Sequence, residues 1–270
     1  MSTTLAGLLA VFLYSCLAGW QWRVWRLATP LTSADTQHLY IATLLAALCL
    51  HGLSVYILID TATGFNFSFF HVSSLIFWVI CITVALSCIH LPLRVLLPPL
   101  YTMTAISVLC SILVDSPYTP HALSYPVALH ILLSILAYSI LTIAAMQALA
   151  LALQDHLLKT RQLQKVMAQL PPLQTMESLL FQMLWAGTTL LALSIGSGLL
   201  FLHDILAQHL AHKMFFSFAA LLVYCTLLWG RYKHGWRGKQ AIRWTVGGFL
   251  ALMTAYFGTK LVLELLLHHA

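Results

Sequence analysis

Thirteen histidines stand against only seven carboxylates in this chain. Neutral imidazole can shuttle protons, ligate metals and serve as an axial ligand of haem iron. His51 and His130 sit inside long apolar runs, where an ionisable group is a functional candidate by default. His130 is followed at i+4 and i+8 by Ser134 and Tyr138. On a helix these form one polar strip, which faces the bundle interior because lipid would not tolerate it. Two readings of His130 stay open, a ligand or a structural histidine bonded to a neighbouring helix. His51, close to Cys49 and Gly52, carries the same two. His203, His209 and His212 share one polar stretch with Asp204 and Lys213. Asp204 could orient an imidazole through its second nitrogen, while His209 also reads as a solvated loop residue. His268 and His269 are nearly the last residues, where a fraying terminus is the plain alternative.

Other chemistries lack their spacing. Cys16, Cys49, Cys81, Cys88, Cys110 and Cys225 all fall in apolar runs, with no C-x-x-C and no C-x-x-C-H. They read as small apolar residues, and the chain does not carry covalent c-type haem itself. No metalloprotease, phosphate-loop or triad spacing occurs. The histidines at 203–212 come without cysteine and match no structural zinc pattern. Soft-metal transport would call for paired carboxylates or thiolates, which are absent. No catalytic motif is legible.

The elements that must position these histidines follow from composition. The chain has 270 residues, 61% hydrophobic and only 7% charged, with mean hydropathy +0.90. This excludes a soluble domain, a disordered chain and a secreted disulfide scaffold. The net charge of +6 is not a nucleic-acid signal, because its distribution is that of a membrane protein. Segments near 3–22, 39–59, 69–89, 94–114, 124–154, 178–202, 212–230 and 241–267 each approach the length of about 20 apolar residues that crosses a bilayer. A barrel would instead show short alternating segments. The first segment has no basic residue ahead of it, so it reads as a span rather than a signal peptide.

With eight spans, every lysine and arginine except Lys213 and Lys260 falls on one set of loops. The positive-inside rule makes that set cytoplasmic and places both termini outside. Trp20, Trp22, Trp25, Trp229, Trp236 and Trp244 cluster at the same inner ends, as interface anchors do. His38, His90, His156 and His234 then lie at the inner surface. His51 and His130 lie in the outer halves of their spans, with His130 about six residues, roughly 9 Å, below the outer end of the fifth.

No internal repeat or linker divides the chain, so one helical-bundle domain is expected over 1–270. The fifth span is expected to continue into the cytoplasm as a long helix until Pro171-Pro172 stops it. Gly187, Ser194 and Gly198 on span six, and Gly247, Ala251 and Ala255 on span eight, form small-residue stripes that let helices approach closely.

Three stretches carry a resemblance. Ala128-Leu129-His130-Ile131 through Ala137-Tyr138 resembles a histidine-bearing helix, and Met176-Glu177 through Gly198-Leu199-Leu200 resembles the span that precedes an outer loop. Lys213 through Tyr224, then Gly235-Trp236-Arg237-Gly238 and Ala255-Tyr256-Phe257-Gly258, resembles a final pair of spans. Together they are similar to the cytochrome c assembly family, haem-handling membrane proteins of the CcmC/CcsA type, and to its small YpjD-like inner-membrane branch. The resemblance implies haem b held near the outer face by histidines. His130 matches the first family ligand, His268 lies near the late histidine, and His203 could substitute from the degenerate loop. His51 has a looser counterpart. Lys213 fits the pattern's lysine and could pair with a propionate. The family's tryptophan-rich loop would fall at 201–213, which reads FLHDILAQHLAHK with no tryptophan. That departure bears on haem delivery more than on haem binding.

The expected protein is thus all-α, with eight transmembrane helices in a bacterial inner membrane, binding haem through His130 and His203 or His51, or His268. Its partners would be haem, the lipid bilayer and a membrane protein met through the cytoplasmic loops or the long fifth helix, with no nucleic acid. The rival is a haem-free scaffold or accessory subunit on the same fold. A b-type electron carrier would want two stacked bis-histidine sites, whereas the inner histidines sit at loop positions.

Overall fold

Long apolar runs become helices because a bilayer offers the backbone no hydrogen-bond partners. The computed structural model describes residues 3–27, 34–62, 64–88, 96–114, 124–160, 171–201 and 208–255. Among these residues the helices are α1 (Thr3–Leu27), α2 (Ala34–Ile59), α3 (Phe69–Ser87), α4 (Leu97–Leu113), α5 (Tyr125–Thr160), α6 (Leu173–Phe201), α7 (Gln208–His234) and α8 (Lys239–Met253). Each overlaps one expected span. Six of them, α1, α2, α3, α5, α6 and α7, are long and apolar enough to cross a membrane. α4 is a shorter apolar helix of 17 residues, and 15 residues of α8 are described. The chain is an all-helical polytopic membrane protein.

Two local features go beyond expectation. Between α2 and α3 the chain forms a small antiparallel hairpin, β1 (Asp60–Thr61) with β2 (Gly64–Phe65), in the register Asp60↔Phe65 and Thr61↔Gly64. Strands this short leave no periodic signal in the sequence. The second feature concerns Pro171-Pro172. The Pro172 carbonyl accepts the first helical bond of α6, from Met176 N–H at 3.1 Å. The prolines therefore open α6, at positions where a missing N–H costs nothing. α5 is long, as expected, and continues at least to Thr160. The stretch that would take it to the prolines lies outside the described residues.

The helices group into two compact units, α1–α4 with the hairpin and α5–α8. In the first unit each helix packs on the next, and α1 closes the ring against α4. The second unit repeats this plan, with α8 closing against α5 and the α5–α6 pair the most extensive.

Small residues set the approach of helices in the second unit. A Cβ on Gly187 would lie 2.7 Å from Leu141 Cγ and Cδ2 on α5, so the α5–α6 spacing requires a glycine. Ser194 and Gly198 of the same stripe are also buried. On α8 the stripe is shifted from the expected one. Gly247 is exposed with nothing near its Cβ position, whereas Gly248 is buried and a Cβ there would meet Tyr224 Cε1 at 2.8 Å. The buried face is Ala241, Thr245, Gly248, Leu252 and Ala255, spaced alternately by four and three as a packed helix requires. Ala255 belongs to it and Gly247 does not.

One end of this unit is held by charge. Glu177, at the start of α6 with its side chain 11% exposed, accepts from Arg231 Nη1 at 2.8 Å and Arg237 Nε at 2.9 Å. Arg231 also donates to the Trp236 carbonyl at 3.2 Å and lies 4.6 Å over the Phe181 ring. The α7–α8 turn makes this possible. Gly235 (φ 64°) and Gly238 (φ 53°) take left-handed conformations that side chains resist. The N–H groups of Gly235 and Trp236 reach back to the carbonyls of Arg231 and Gly230, both at 3.2 Å, satisfying end groups of α7. Trp236 thereby folds over Gly230 and sets Arg237 toward Glu177.

Gly187→Leu forces overpacking at the α5–α6 contact. A loss of about 1–3 kcal/mol is expected, read as a lower melting temperature of the detergent-solubilised protein. Glu177→Gln leaves two guanidinium groups without their shared carboxylate. It is expected to lower stability by about 1–3 kcal/mol, with Glu177→Asp losing less.

Candidate functional site

His130 lies in the second turn of α5. The helix begins where the Ser124 carbonyl accepts from Ala128 N–H at 2.9 Å, and Pro126 occupies the first turn, where its lack of N–H is harmless. The half-buried His130 ring faces α6. Its Nδ1 lies 2.9 Å from the Ser194 carbonyl oxygen and 3.2 Å from Ser197 Oγ. A carbonyl only accepts, so Nδ1 carries the proton and the lone pair of the neutral ring belongs to Nε2. Ser197 Oγ donates to the same carbonyl at 2.8 Å. One turn along, Ser134 Oγ donates to the His130 carbonyl at 2.7 Å. That uses its only proton, so at the 2.7 Å Ser134–Ser194 contact the Ser194 hydroxyl donates. Ser194 and Ser197 are 4% and 7% exposed. Two turns along, the Tyr138 hydroxyl donates to the Leu252 carbonyl of α8 at 3.2 Å. The strip of His130, Ser134 and Tyr138 thus faces neighbouring helices, first α6 and then α8.

This arrangement does two things at once. It ties α5 to α6, and it fixes the tautomer and ring plane of an imidazole through a backbone carbonyl, the way metal-binding histidines are commonly oriented. His130 sits near the start of α5 and the end of α6, whereas Glu177 and Arg231 lie at the opposite end of the unit.

His51 has a different environment in the first unit. It is fully buried at 0% exposure. Nε2 lies 3.0 Å from Ser74 Oγ on α3, and Nδ1 lies 3.3 Å from the Tyr14 hydroxyl on α1. Tyr14 meets the imidazole edge-on at 5.6 Å and lies 6.0 Å from the Tyr101 ring of α4. Tyr101 in turn shares a 2.7 Å bond with the Tyr40 hydroxyl of α2. Thr104 Oγ1 donates to the Leu100 carbonyl, so Cys81 donates its thiol proton to Thr104 at 3.2 Å. His51 is therefore the centre of a polar cluster reaching all four helices, with both ring nitrogens engaged.

His203 and His268 lie outside the described residues, and Lys213 is placed on α7 by its backbone alone. Among the described residues no group of three His, Cys, Asp or Glu side chains could hold a metal ion. The cysteines are unpaired by disulfides; Cys81 is buried, and Cys16, Cys49 and Cys225 lie on the surface of the helices. The partners Tyr14, Ser74 and Ser197 were not legible in advance, because serine and tyrosine are ordinary in apolar helices. Ser194 stood out only as a small residue.

A family model described as cytochrome C assembly protein matches residues 38–267. The inner membrane protein YpjD of Escherichia coli K12 is 33% identical over 229 residues, covering 84% of this chain and 86% of that protein. A 28.8 kDa protein in the nifR3-like 5′ region of Azospirillum brasilense is 33% identical over 141 residues, 52% of each chain. Protein HemX of Brevibacillus brevis is 27% identical over 131 residues, 48% of each. No solved structure matches significantly. With a nearly full-length family match and its several apolar spans, the chain belongs to the cytochrome c assembly family as a YpjD-like, multi-pass inner-membrane member.

Proposed function

We propose that this protein binds haem b near its outer face, with His130 as one axial ligand and His203, His268 or His51 as the other. Lys213 would pair with a propionate. The proposal includes eight spans with both termini outside, as the distribution of basic residues implies. The family is haem-related, which supports the ligand class. The observation that carries the reading is the 2.9 Å bond from His130 Nδ1 to the Ser194 carbonyl. In the neutral ring it fixes the tautomer whose Nε2 lone pair suits a metal. Haem, when bound, supplies an iron that accepts axial imidazoles. The chain's contribution is to orient that imidazole and keep its proton on Nδ1.

His51 is the weakest of the partner candidates, because serving as a ligand would cost it the bond to Ser74 or to Tyr14. The second reading, a haem-free scaffold or accessory subunit, draws on this and on the tryptophan-free stretch 201–213. Such a subunit would meet a membrane partner through the basic loops or α5.

The deciding measurement is the oxidised and reduced absorption spectrum of the detergent-purified protein, with haem quantified per chain. A near-stoichiometric b-type spectrum is expected. His130→Ala should lower haem content several-fold, whereas a colourless wild type that also fails to take up added haem would leave the scaffold reading. His51→Gln should lower the melting temperature yet keep haem per folded chain. Loss of haem in that variant would instead make His51 the second ligand.

A further inference from the structure

The second unit carries a cleft of about 270 Å³ between the last turns of α5 and the first turns of α8. Ala152 and Ile242 line its apolar part; Asp155, His156, Lys159, Lys239 and Arg243 supply its polar part. Asp155 is ion-paired with Lys159 one turn along. Among the described residues no carboxylate pairs with Lys239 or Arg243. The cleft is therefore electropositive even with His156 neutral.

The position of those two cations sharpens the point. Both sit in the first turns of α8, which has no acidic residue in its first turn. A helix N-terminus already carries partial positive charge, so cations there are unfavourable until an anion neutralises them. The volume falls below the 300–1,000 Å³ usual for drug-sized ligands, which suits a small anionic group and is too small for a porphyrin. The surroundings are amphiphilic. Leu149, Leu153 and Leu158 are exposed on the same stretch of α5 that supplies Ala152, Asp155, His156 and Lys159 to the cleft. Trp229 and Tyr232 sit at this same end under Lys233, as an aromatic belt does at headgroup depth.

We infer that this cleft binds the phosphodiester headgroup of an anionic phospholipid, with Lys239 and Arg243 on the phosphate and the acyl chains along the exposed leucines of α5. The inference is independent of haem.

The test uses the full-length protein in nanodiscs of phosphatidylcholine with one-fifth phosphatidylglycerol, released into detergent for native mass spectrometry. Wild type should retain phosphatidylglycerol in preference to phosphatidylcholine. The K239Q/R243Q double variant should retain it about tenfold less or weaker still, from the energy each basic residue contributes near an anionic surface. The charge-conserving K239R/R243K variant should behave as wild type, and an unchanged helical circular dichroism spectrum shows that both variants fold. Equal retention of the two lipids, or undiminished phosphatidylglycerol on a folded K239Q/R243Q protein, would overturn the inference. So would stabilisation by inorganic phosphate or glycerol 3-phosphate alone that matches the lipid's, since the ligand would then be a free phosphate.

Discussion

The bilayer interior gives a polar side chain no water, so a hydroxyl or imidazole on these helices is costly unless it finds a partner within the protein. Most take the nearest solution. Thr43, Thr83, Thr102, Thr142, Thr189, Thr226 and Thr245 each donate to the carbonyl four residues back on their own helix. These bonds conceal a proton and say nothing about which helix lies next door. A few side chains reach across instead, at Tyr14–His51–Ser74, Tyr40–Tyr101, Cys81–Thr104 and Ser73–Ser107 in the first unit. In the second unit His130, Ser134 and Tyr138 do so. Since lipid tails are as apolar as leucine, apolar contact between helices is only weakly selective. The crossing bonds and the close contacts at Gly187 and Gly248 therefore specify which helix faces which.

The two intramembrane histidines answer that constraint differently. His51 spends both nitrogens on neighbours and behaves as a keystone. His130 binds its neighbour through Nδ1–H to a carbonyl, an arrangement that serves packing and ligand orientation together. Charge follows the same economy at the far end of the second unit. Glu177 serves two arginines and Asp155 serves Lys159, so the few carboxylates there are committed and the positive excess stands at the N-terminus of α8.

Much of this was legible in residue order, for a physical reason. A membrane span must be long and continuously apolar, so each apolar run overlaps one of the described helices, and His130 came out one turn and a half into α5 as the sequence implies. The inward face of Ser134 and Tyr138 was legible too, because lipid excludes the alternative. What escaped depends on rotation and on partners distant in sequence. One residue's rotation separates Gly247 from Gly248, and the small residues around both fit either stripe. Nothing in the order of residues pairs Glu177 with Arg231 and Arg237. The sequence offered only the scarcity of carboxylates and, in Gly235-Trp236-Arg237-Gly238, two glycines that bracket a turn. Pro171-Pro172, expected as a stop for α5, opens α6, whose first helical bond the Pro172 carbonyl accepts.

The keystone at His51 also bears on how the protein is made. A ribosome adding about 5–20 residues per second delivers Tyr14 to the membrane first, then His51, then Ser74. Tyr14 waits roughly three to twelve seconds for the last member of the cluster that encloses it. Through that interval α1 and α2 carry a phenol and an imidazole with an incomplete set of partners. The insertion machinery, or water at the bilayer surface, must shelter those groups until α3 arrives. The Tyr14–His51 bond can join α1 to α2 first, and the arrival of α3 brings Ser74 to the second ring nitrogen and completes the cluster.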